Sequence, residues 1–177
     1  MLTMPADNVI LVGFMGAGKS SVGRLLARRL GRCFVETDDM IVAREGKPIH
    51  VIFREQGEPR FREREAEALE ALRLKSGDVI ATGGGLPCRD GRMEALRELG
   101  TVVWLAGEFA DLHERASRLG GRPMLDGRTS EELAELYRAR QAYYRLAHVT
   151  VDTSGLGTDQ VAARVLAALR KAHAARV

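Results

Sequence analysis

Short apolar runs alternate along the chain with longer stretches that have the periodicity of amphipathic helices. The apolar runs are continuous rather than interleaved with polar residues, which is typical of parallel strands buried on both faces. The apolar runs lie at 8–13, 33–37, 78–83, 101–107 and 148–153, and the helical patterns lie at 20–31, 38–46, 59–76, 89–99, 108–118, 130–146 and 158–173. We therefore predict an α/β fold in which a five-stranded parallel sheet is flanked by helices on both faces.

Length, charge and composition narrow the class of protein. The 177 residues suit a single domain, 1–177, since no linker, repeat or low-complexity run interrupts the pattern. The net charge is only +3 and no basic tract is interleaved with aromatic residues, so we expect no nucleic-acid partner. The absence of a bilayer-length apolar run and of a secretory pattern predicts a cytoplasmic protein with no membrane partner, and we expect a monomer.

The segment GFMGAGKS, residues 13–20, contains Gly, four residues and then Gly-Lys-Ser. It follows a predicted strand and precedes a predicted helix, which is the context that a phosphate-binding loop requires. Gly16 and Gly18 tolerate the backbone conformations that let several N–H groups converge on phosphate oxygens. Lys19 can reach the β- and γ-phosphates, and the Ser20 hydroxyl can ligate Mg²⁺. We predict that the chain binds a nucleoside triphosphate.

Three further clusters could hold the acceptor of a phosphoryl group. In GEPRFREREAEAL, Arg62 and Glu65 are three residues apart and therefore share a helix face. The run TGGG, residues 82–85, directly follows a predicted strand, where ligands of open α/β sheets bind. The segment YRARQAYYR supplies three arginines, Arg138, Arg140 and Arg145. Because guanidinium groups match carboxylates, these arginines together indicate an anionic acceptor.

Three carboxylates lie at the end of the second predicted strand or directly after it, in FVETDD, residues 34–39. Carboxylates at a strand end can hold a metal, accept a proton, bind a hydroxyl or begin the next helix. Asp39 is expected to lie in the first turn of a helix, where a negative side chain favours the helix dipole. The residues themselves leave the roles of Glu36 and Asp38 open.

In this order, the motifs resemble those of shikimate kinase, a small P-loop kinase similar in fold to the nucleoside monophosphate kinases. The resemblance extends from ILVGFMGAGKSSVGRLLARRL to VDTSG and includes FVETDDMI, TGGG, RLGGRPML and RQAYYRLA. It implies transfer of the γ-phosphoryl group of ATP, assisted by Mg²⁺, to the 3-hydroxyl of shikimate. The alternatives are a related kinase acting on another small hydroxy acid or polyol, and a nucleotide-binding regulatory module without catalysis.

The resemblance also implies where each substrate binds. An acceptor-binding segment would span about 38–65, and Phe53 and Phe61 would either line its pocket or pack in the core. Shikimate would contact one carboxylate, two guanidinium groups and a stretch of backbone: Asp38, Arg62, Arg140, Gly83, Gly84 and Gly85. ATP would contact loop, helix and lid residues: Gly16, Ala17, Gly18, Lys19, Ser20, Ser21, Arg118 and Arg122.

The implied catalytic groups are Lys19, Asp38 and Arg122. Arg122 lies in RLGGRPML, which matches the family's lid, here about 115–128. This lid would close over the phosphates, while Arg118 and the loop 152–155 would lie near the adenine. Mg²⁺ would be bound directly by Ser20 and through water by Glu36, at a position where the family usually has Asp.

Overall fold

The computed structural model describes residues 7–119 and 127–175. Within those residues, five parallel strands form one sheet in the order β2-β3-β1-β4-β5. The strands are β1 Asn8–Val12, β2 Phe34–Glu36, β3 Val79–Ala81, β4 Gly100–Ala106 and β5 Val149–Asp152. Each lies within the apolar run that predicted it, apart from a one-residue difference at the start of β4, and the parallel α/β class is confirmed.

The helices connect and cover these strands. Their bounds are α1 Lys19–Leu30, α2 Thr37–Glu45, α3 Ile49–Ala71, α4 Arg92–Leu99, α5 Phe109–Leu119, α6 Ser130–Tyr144 and α7 Thr158–Ala174. The helical pattern predicted from residue 59 begins ten residues earlier, because α3 continues through a kink at Gly57 (φ 78°, ψ 174°). Gly57 and Pro59 break the local pattern, whereas packing keeps both halves helical.

Two of the three central strands, β1 and β3, are buried along their whole length, as both faces of the sheet are covered. Every residue of β1 and β3 is buried, whereas the edge strands β2 and β5 are partly exposed. Helix α1 packs so closely on this sheet that a side chain at Gly23 would overlap the ring of Phe34. Helix α7 packs beside α1. The main apolar core therefore extends on both sides of the sheet.

A smaller apolar cluster holds α2 against α3. It consists of Ile41, Ile52, Phe61 and Ala68, with the rings of Phe53 and Phe61 4.7 Å apart. This cluster lies beside the carboxyl ends of the strands and fixes the helices that carry the predicted acceptor residues. Among the described helices, none is both long and apolar enough to cross a membrane.

The sheet order brings distant segments together. β3 lies between β1 and β2, with Leu11 and Glu36 both paired in register to Ala81. The loops that leave the carboxyl ends of these three strands therefore lie side by side, which is where ligands of parallel α/β sheets bind.

Candidate active site

The loop between β1 and α1 has the backbone geometry of a phosphate site. Gly16 has φ 80° and Gly18, which caps α1, has φ 83°, both in the left-handed region that favours glycine. A side chain at Gly16 would also overlap the carbonyl oxygen of Leu112 on α5. The loop is thus pressed against α5, and the first N–H groups of α1 face the space above the sheet, where an anion is stabilised.

The ammonium group of Lys19 lies over this loop. Its Nζ donates to the carbonyl oxygens of Gly13, at 2.8 Å, and Phe14, at 3.0 Å. Lys19 is the first residue of α1, so its side chain reaches back across the loop rather than out along the helix. A cation at this position can contact the outer phosphates of a nucleotide.

Ser20 and Glu36 meet at the same edge of the sheet. The Ser20 hydroxyl donates to Oε1 of Glu36, and Arg24 approaches the other oxygen of that carboxylate at 3.3 Å. Among residues 7–119 and 127–175 there is no group of three acidic, His or Cys side chains that could hold a metal by itself. A hydroxyl beside one carboxylate fits Mg²⁺, which keeps several waters and takes its other ligands from substrate phosphates.

Asp38 lies in the first turn of α2 and faces the glycine run. A Cβ at Gly83 would be 2.6 Å from its Oδ1, an atom that is shielded from solvent. The neighbouring Thr37 is fully buried, and its Oγ1 accepts a hydrogen bond of 2.9 Å from the N–H of Gly83. The structure therefore holds the Asp38 carboxylate against backbone that has no side chain of its own. Asp39 also lies in this first turn, as expected, and is exposed.

Arg62 is held by two carboxylates of its own helix. Its Nη1 donates to Oε2 of Glu65 at 2.8 Å, and its Nε and Nη2 donate to Oε1 of Glu58 at 3.0 and 2.7 Å. Burial of the guanidinium by itself lowers the pKa of Arg62. The two carboxylates outweigh that effect and raise the pKa above its ordinary value. The guanidinium is therefore charged and closely oriented.

Arg140, on α6, approaches the same glycine run as Arg62. A Cβ at Gly85 would be 2.8 Å from Nη1 of Arg62 and 3.1 Å from Nη2 of Arg140. Arg140 is only 7% exposed and its guanidinium lies 5.7 Å from the ring centroid of Phe14. Two guanidinium groups from separate helices thus converge on one glycine, which is the arrangement that a carboxylate requires.

Tyr144 locks α6 to the glycine run. Its hydroxyl donates to the carbonyl oxygen of Gly84 at 2.6 Å, and the side chain is fully buried. Burial raises the pKa of Tyr144 well above its ordinary value, so the phenol keeps the proton that it donates. This bond ties the backbone of 83–85 to the helix that carries Arg140.

A single cleft of about 770 Å³ joins these groups. It extends from the phosphate loop to the glycine run and the arginine pair. The predicted residues that line it are Gly16, Ala17, Gly18, Lys19, Ser20, Ser21, Glu36, Asp38, Phe53, Phe61, Arg62, Glu65, Gly83, Gly84, Gly85, Arg118 and Arg140. Of the three arginines predicted in the segment 137–145, Arg140 alone lines the cleft, whereas the side chains of Arg138 and Arg145 are exposed.

At the phosphate-loop end, the cleft extends to residues that directly follow the predicted adenine loop 152–155. Leu156, Thr158 and Val161 line it, and the position of the adenine stays a prediction. Arg115 lines it as well and was missed, because one arginine in an amphipathic helix pattern carries no distinguishing signal. Arg118 lies at this end with its side chain 75% exposed and paired to Glu114. The predicted Arg122 lies outside the described residues.

Comparisons with known proteins agree with this geometry. The family model described as shikimate kinase matches residues 15–170. Shikimate kinase of Geobacter sulfurreducens is 44% identical over 176 residues, covering 96% of each chain. Shikimate kinase of Moorella thermoacetica is 42% identical over 163 residues, covering 92% of this chain and 94% of the relative.

Solved structures extend the comparison to three dimensions. A structure of shikimate kinase from Acinetobacter baumannii in complex with shikimate superposes with a TM-score of 0.86, at 37% identity and 92% coverage of each chain. A sugar kinase from a Janibacter species, at 18% identity and a TM-score of 0.62, shares the fold alone. The match over most of the chain, in sequence and in structure, shows that this chain belongs to the shikimate kinase family.

Proposed function

We propose that the chain transfers the γ-phosphoryl group of ATP to the 3-hydroxyl of shikimate and so forms shikimate 3-phosphate and ADP. The observation that carries this proposal is one cleft with a phosphate loop at one end and, at the other, Asp38 beside two convergent guanidinium groups. A neutral sugar would leave Arg62 and Arg140 without a matching anion. Shikimate carries a carboxylate that can pair with Arg62 and Arg140, and a hydroxyl that can donate to Asp38.

Binding orients the acceptor before chemistry occurs. Arg62 and Arg140 bind the shikimate carboxylate over Gly85, and the backbone of the glycine run approaches the ring closely. Asp38 accepts a hydrogen bond from the attacking hydroxyl and takes its proton as the new O–P bond forms. Such fixed positioning supplies much of the rate enhancement in phosphoryl transfer, because the transition state needs little covalent help from the protein.

The nucleotide end neutralises the charge that develops on the transferred group. The bond between the γ-phosphorus and the β,γ-bridging oxygen breaks, and ADP leaves with the electron pair. Lys19 and the N–H groups of 16–21 contact the phosphates, and Arg118 and Arg122 complete the site when the lid, about 115–128, closes. Closure excludes water, which limits hydrolysis of ATP without an acceptor.

Mg²⁺ fits the pair formed by Ser20 and Glu36. Ser20 would bind the metal directly and Glu36 through a water molecule. A metal ion held there would offset negative charge on the phosphates of the nucleotide. Glu36 is one methylene longer than the Asp usual in the family. A water molecule between its carboxylate and the metal can accommodate that difference in length.

A coupled assay of ADP release tests the substrate. We expect ADP release to increase strongly when shikimate is added to the protein with MgATP, and the product to be shikimate 3-phosphate by mass spectrometry. Quinate and gluconate are assayed in place of shikimate as comparison acceptors, the first being a second hydroxy acid and the second a more flexible polyol acid. If shikimate stimulates ADP release no more than buffer does, the substrate assignment fails.

The protein is also proposed to act as a cytoplasmic monomer. What supports this proposal is that one chain supplies the phosphate loop, Asp38 and both convergent arginines of the cleft. Light scattering coupled to size exclusion should give a mass close to 19.4 kDa. A stable dimer at assay concentrations would contradict the monomer.

A further inference from the structure

Arg92 is a largely buried arginine that no sequence motif identifies. It is the first residue of α4, and its side chain is only 14% exposed. A cation in the first turn of a helix is unfavourable for the helix dipole. Burial also lowers the pKa of Arg92 below its ordinary value. Its position therefore has to be compensated by specific partners.

Those partners belong to the acceptor site. Nη1 of Arg92 lies 3.3 Å from Oε2 of Glu65, the same oxygen that Arg62 contacts at 2.8 Å. Nη2 of Arg92 donates to the backbone carbonyl of Arg62 at 3.0 Å. The carboxylate of Glu65 is thus shared by two guanidinium groups, and Arg92 holds both the side chain and the backbone around the acceptor-binding arginine.

The charge balance explains why a second cation is needed. Arg62 contacts two carboxylates, Glu58 and Glu65, so these three groups alone would carry a net charge of −1. Glu58 is half exposed and lies 4.0 Å from a further cation, Arg89, so the charge that remains to be offset is that of Glu65. Glu65 is 1% exposed, and solvent cannot offset its charge. Without another cation beside Glu65, an anionic acceptor would meet an arginine already neutralised by protein carboxylates.

We propose that Arg92 is a positioning residue for the acceptor: it offsets the charge of Glu65, so that Arg62 remains available to an anionic substrate. Arg92 also follows the glycine run by only seven residues, since Gly85 and Arg92 are joined by the segment 86–91. The same side chain therefore couples the backbone that contacts the acceptor to the helix that carries Arg62. This inference rests on the proposed function, and Arg92 itself does not line the cleft.

Steady-state kinetics of three single variants test the inference. In Arg92→Gln we expect the KM for shikimate to rise about 10-fold, at the lower end of the range seen when the supporting partner of a metal ligand is removed. The KM for ATP and kcat at saturating shikimate should stay within about twofold of wild type, because the nucleotide end is untouched. Arg92→Lys, which keeps a cation near Glu65, should recover most of the affinity. Arg97→Gln, an exposed residue of the same helix, is the matched control and should behave as wild type.

A double variant separates positioning from general loss of structure. In a Glu65→Gln background the carboxylate that Arg92 offsets is gone, so Arg92→Gln should add less than about twofold to the KM for shikimate. Melting temperatures show whether each variant folds. If Arg92→Gln does not fold, Arg92→Lys decides: a shikimate KM within about threefold of wild type supports the proposal, and a larger rise overturns it.

The outcomes of the two proposals are distinct. If wild-type protein does not phosphorylate shikimate, the proposed function fails. If wild type is active and Arg92→Gln has the same shikimate KM as Arg97→Gln, the role of Arg92 fails alone. The role of Arg92 would also be overturned if Arg92→Gln raised the KM for shikimate equally in the wild-type and Glu65→Gln backgrounds. It would be overturned as well if Arg92→Lys had a shikimate KM as high as that of Arg92→Gln.

Discussion

The two ends of the cleft are built in different ways. The phosphate end is one continuous segment, residues 13–20, whose groups are mostly backbone N–H and one lysine on the first turn of α1. The acceptor end is made of side chains from three helices: Asp38 on α2, Arg62 on α3 and Arg140 on α6. These converge on the loop that follows β3.

The difference shows how each end obtains its specificity. Any nucleoside triphosphate presents similar phosphates, so a local loop with fixed backbone geometry is sufficient to bind them. A particular small acid must be distinguished by the relative positions of its carboxylate and hydroxyl groups, and only packing between helices sets those positions. We therefore expect changes at the phosphate end to reduce turnover for any acceptor, and changes at the acceptor end to alter the affinity for shikimate or the orientation of its hydroxyl.

The largest effect is expected at the phosphate end. Lys19→Ala should reduce kcat by about 1,000-fold, because it removes a preorganised charge at the transferred phosphoryl group. Steady-state assays at saturating shikimate measure the loss, with the exposed Lys171→Ala as control. Activity within tenfold of wild type would mean that another cation neutralises the phosphates.

Asp38 tests whether the acceptor end contributes to chemistry as well as to binding. Asp38→Asn should lower kcat at least about 100-fold, the typical contribution of a positioned acid–base group. Asp39→Asn is the matched control, since Asp39 is the exposed neighbour in the same helical turn. Near-normal turnover in Asp38→Asn would remove the role proposed for that carboxylate and leave the acceptor end with binding alone.

Arg140 tests the opposite behaviour, a change in binding with little change in turnover. Truncating one partner of a buried charge pair costs about 2–5 kcal/mol, so Arg140→Ala should raise the KM for shikimate at least about 30-fold. The KM for ATP should change little, and Arg138→Ala, exposed on the same helix, should resemble wild type. An unchanged shikimate KM would place the acceptor carboxylate elsewhere.

The smallest effect is expected at Glu36, which lies beside Ser20 of the phosphate loop. Glu36→Asp restores the residue usual in the family and should change kcat by less than about fivefold, because a water between carboxylate and Mg²⁺ absorbs one methylene. A titration of activity against Mg²⁺ concentration measures any change in metal use. A marked change in acceptor preference instead would show that Glu36 takes part in choosing the substrate.

Much of the lining of the candidate site could be predicted because its motifs are local. The phosphate loop, the carboxylates after β2 and the glycine run after β3 each occupy a few consecutive residues with a strand before them. Their chemistry follows from residue type and position at a strand end. Arg92 and Arg115 could not be found in this way, since a single arginine in a helical pattern is ordinarily a solvated side chain.

The sequence by itself determined the α/β class, the nucleotide loop and the anionic character of the acceptor, because apolar periodicity and short motifs reflect local physical requirements. Tertiary structure decided that β3 lies between β1 and β2, that Arg140 rather than Arg138 or Arg145 faces the cleft, and that Arg62 shares its carboxylate with Arg92. Each of these depends on which helix face packs against the sheet and on which buried charges must be paired. Those are properties of the assembled core rather than of any one segment.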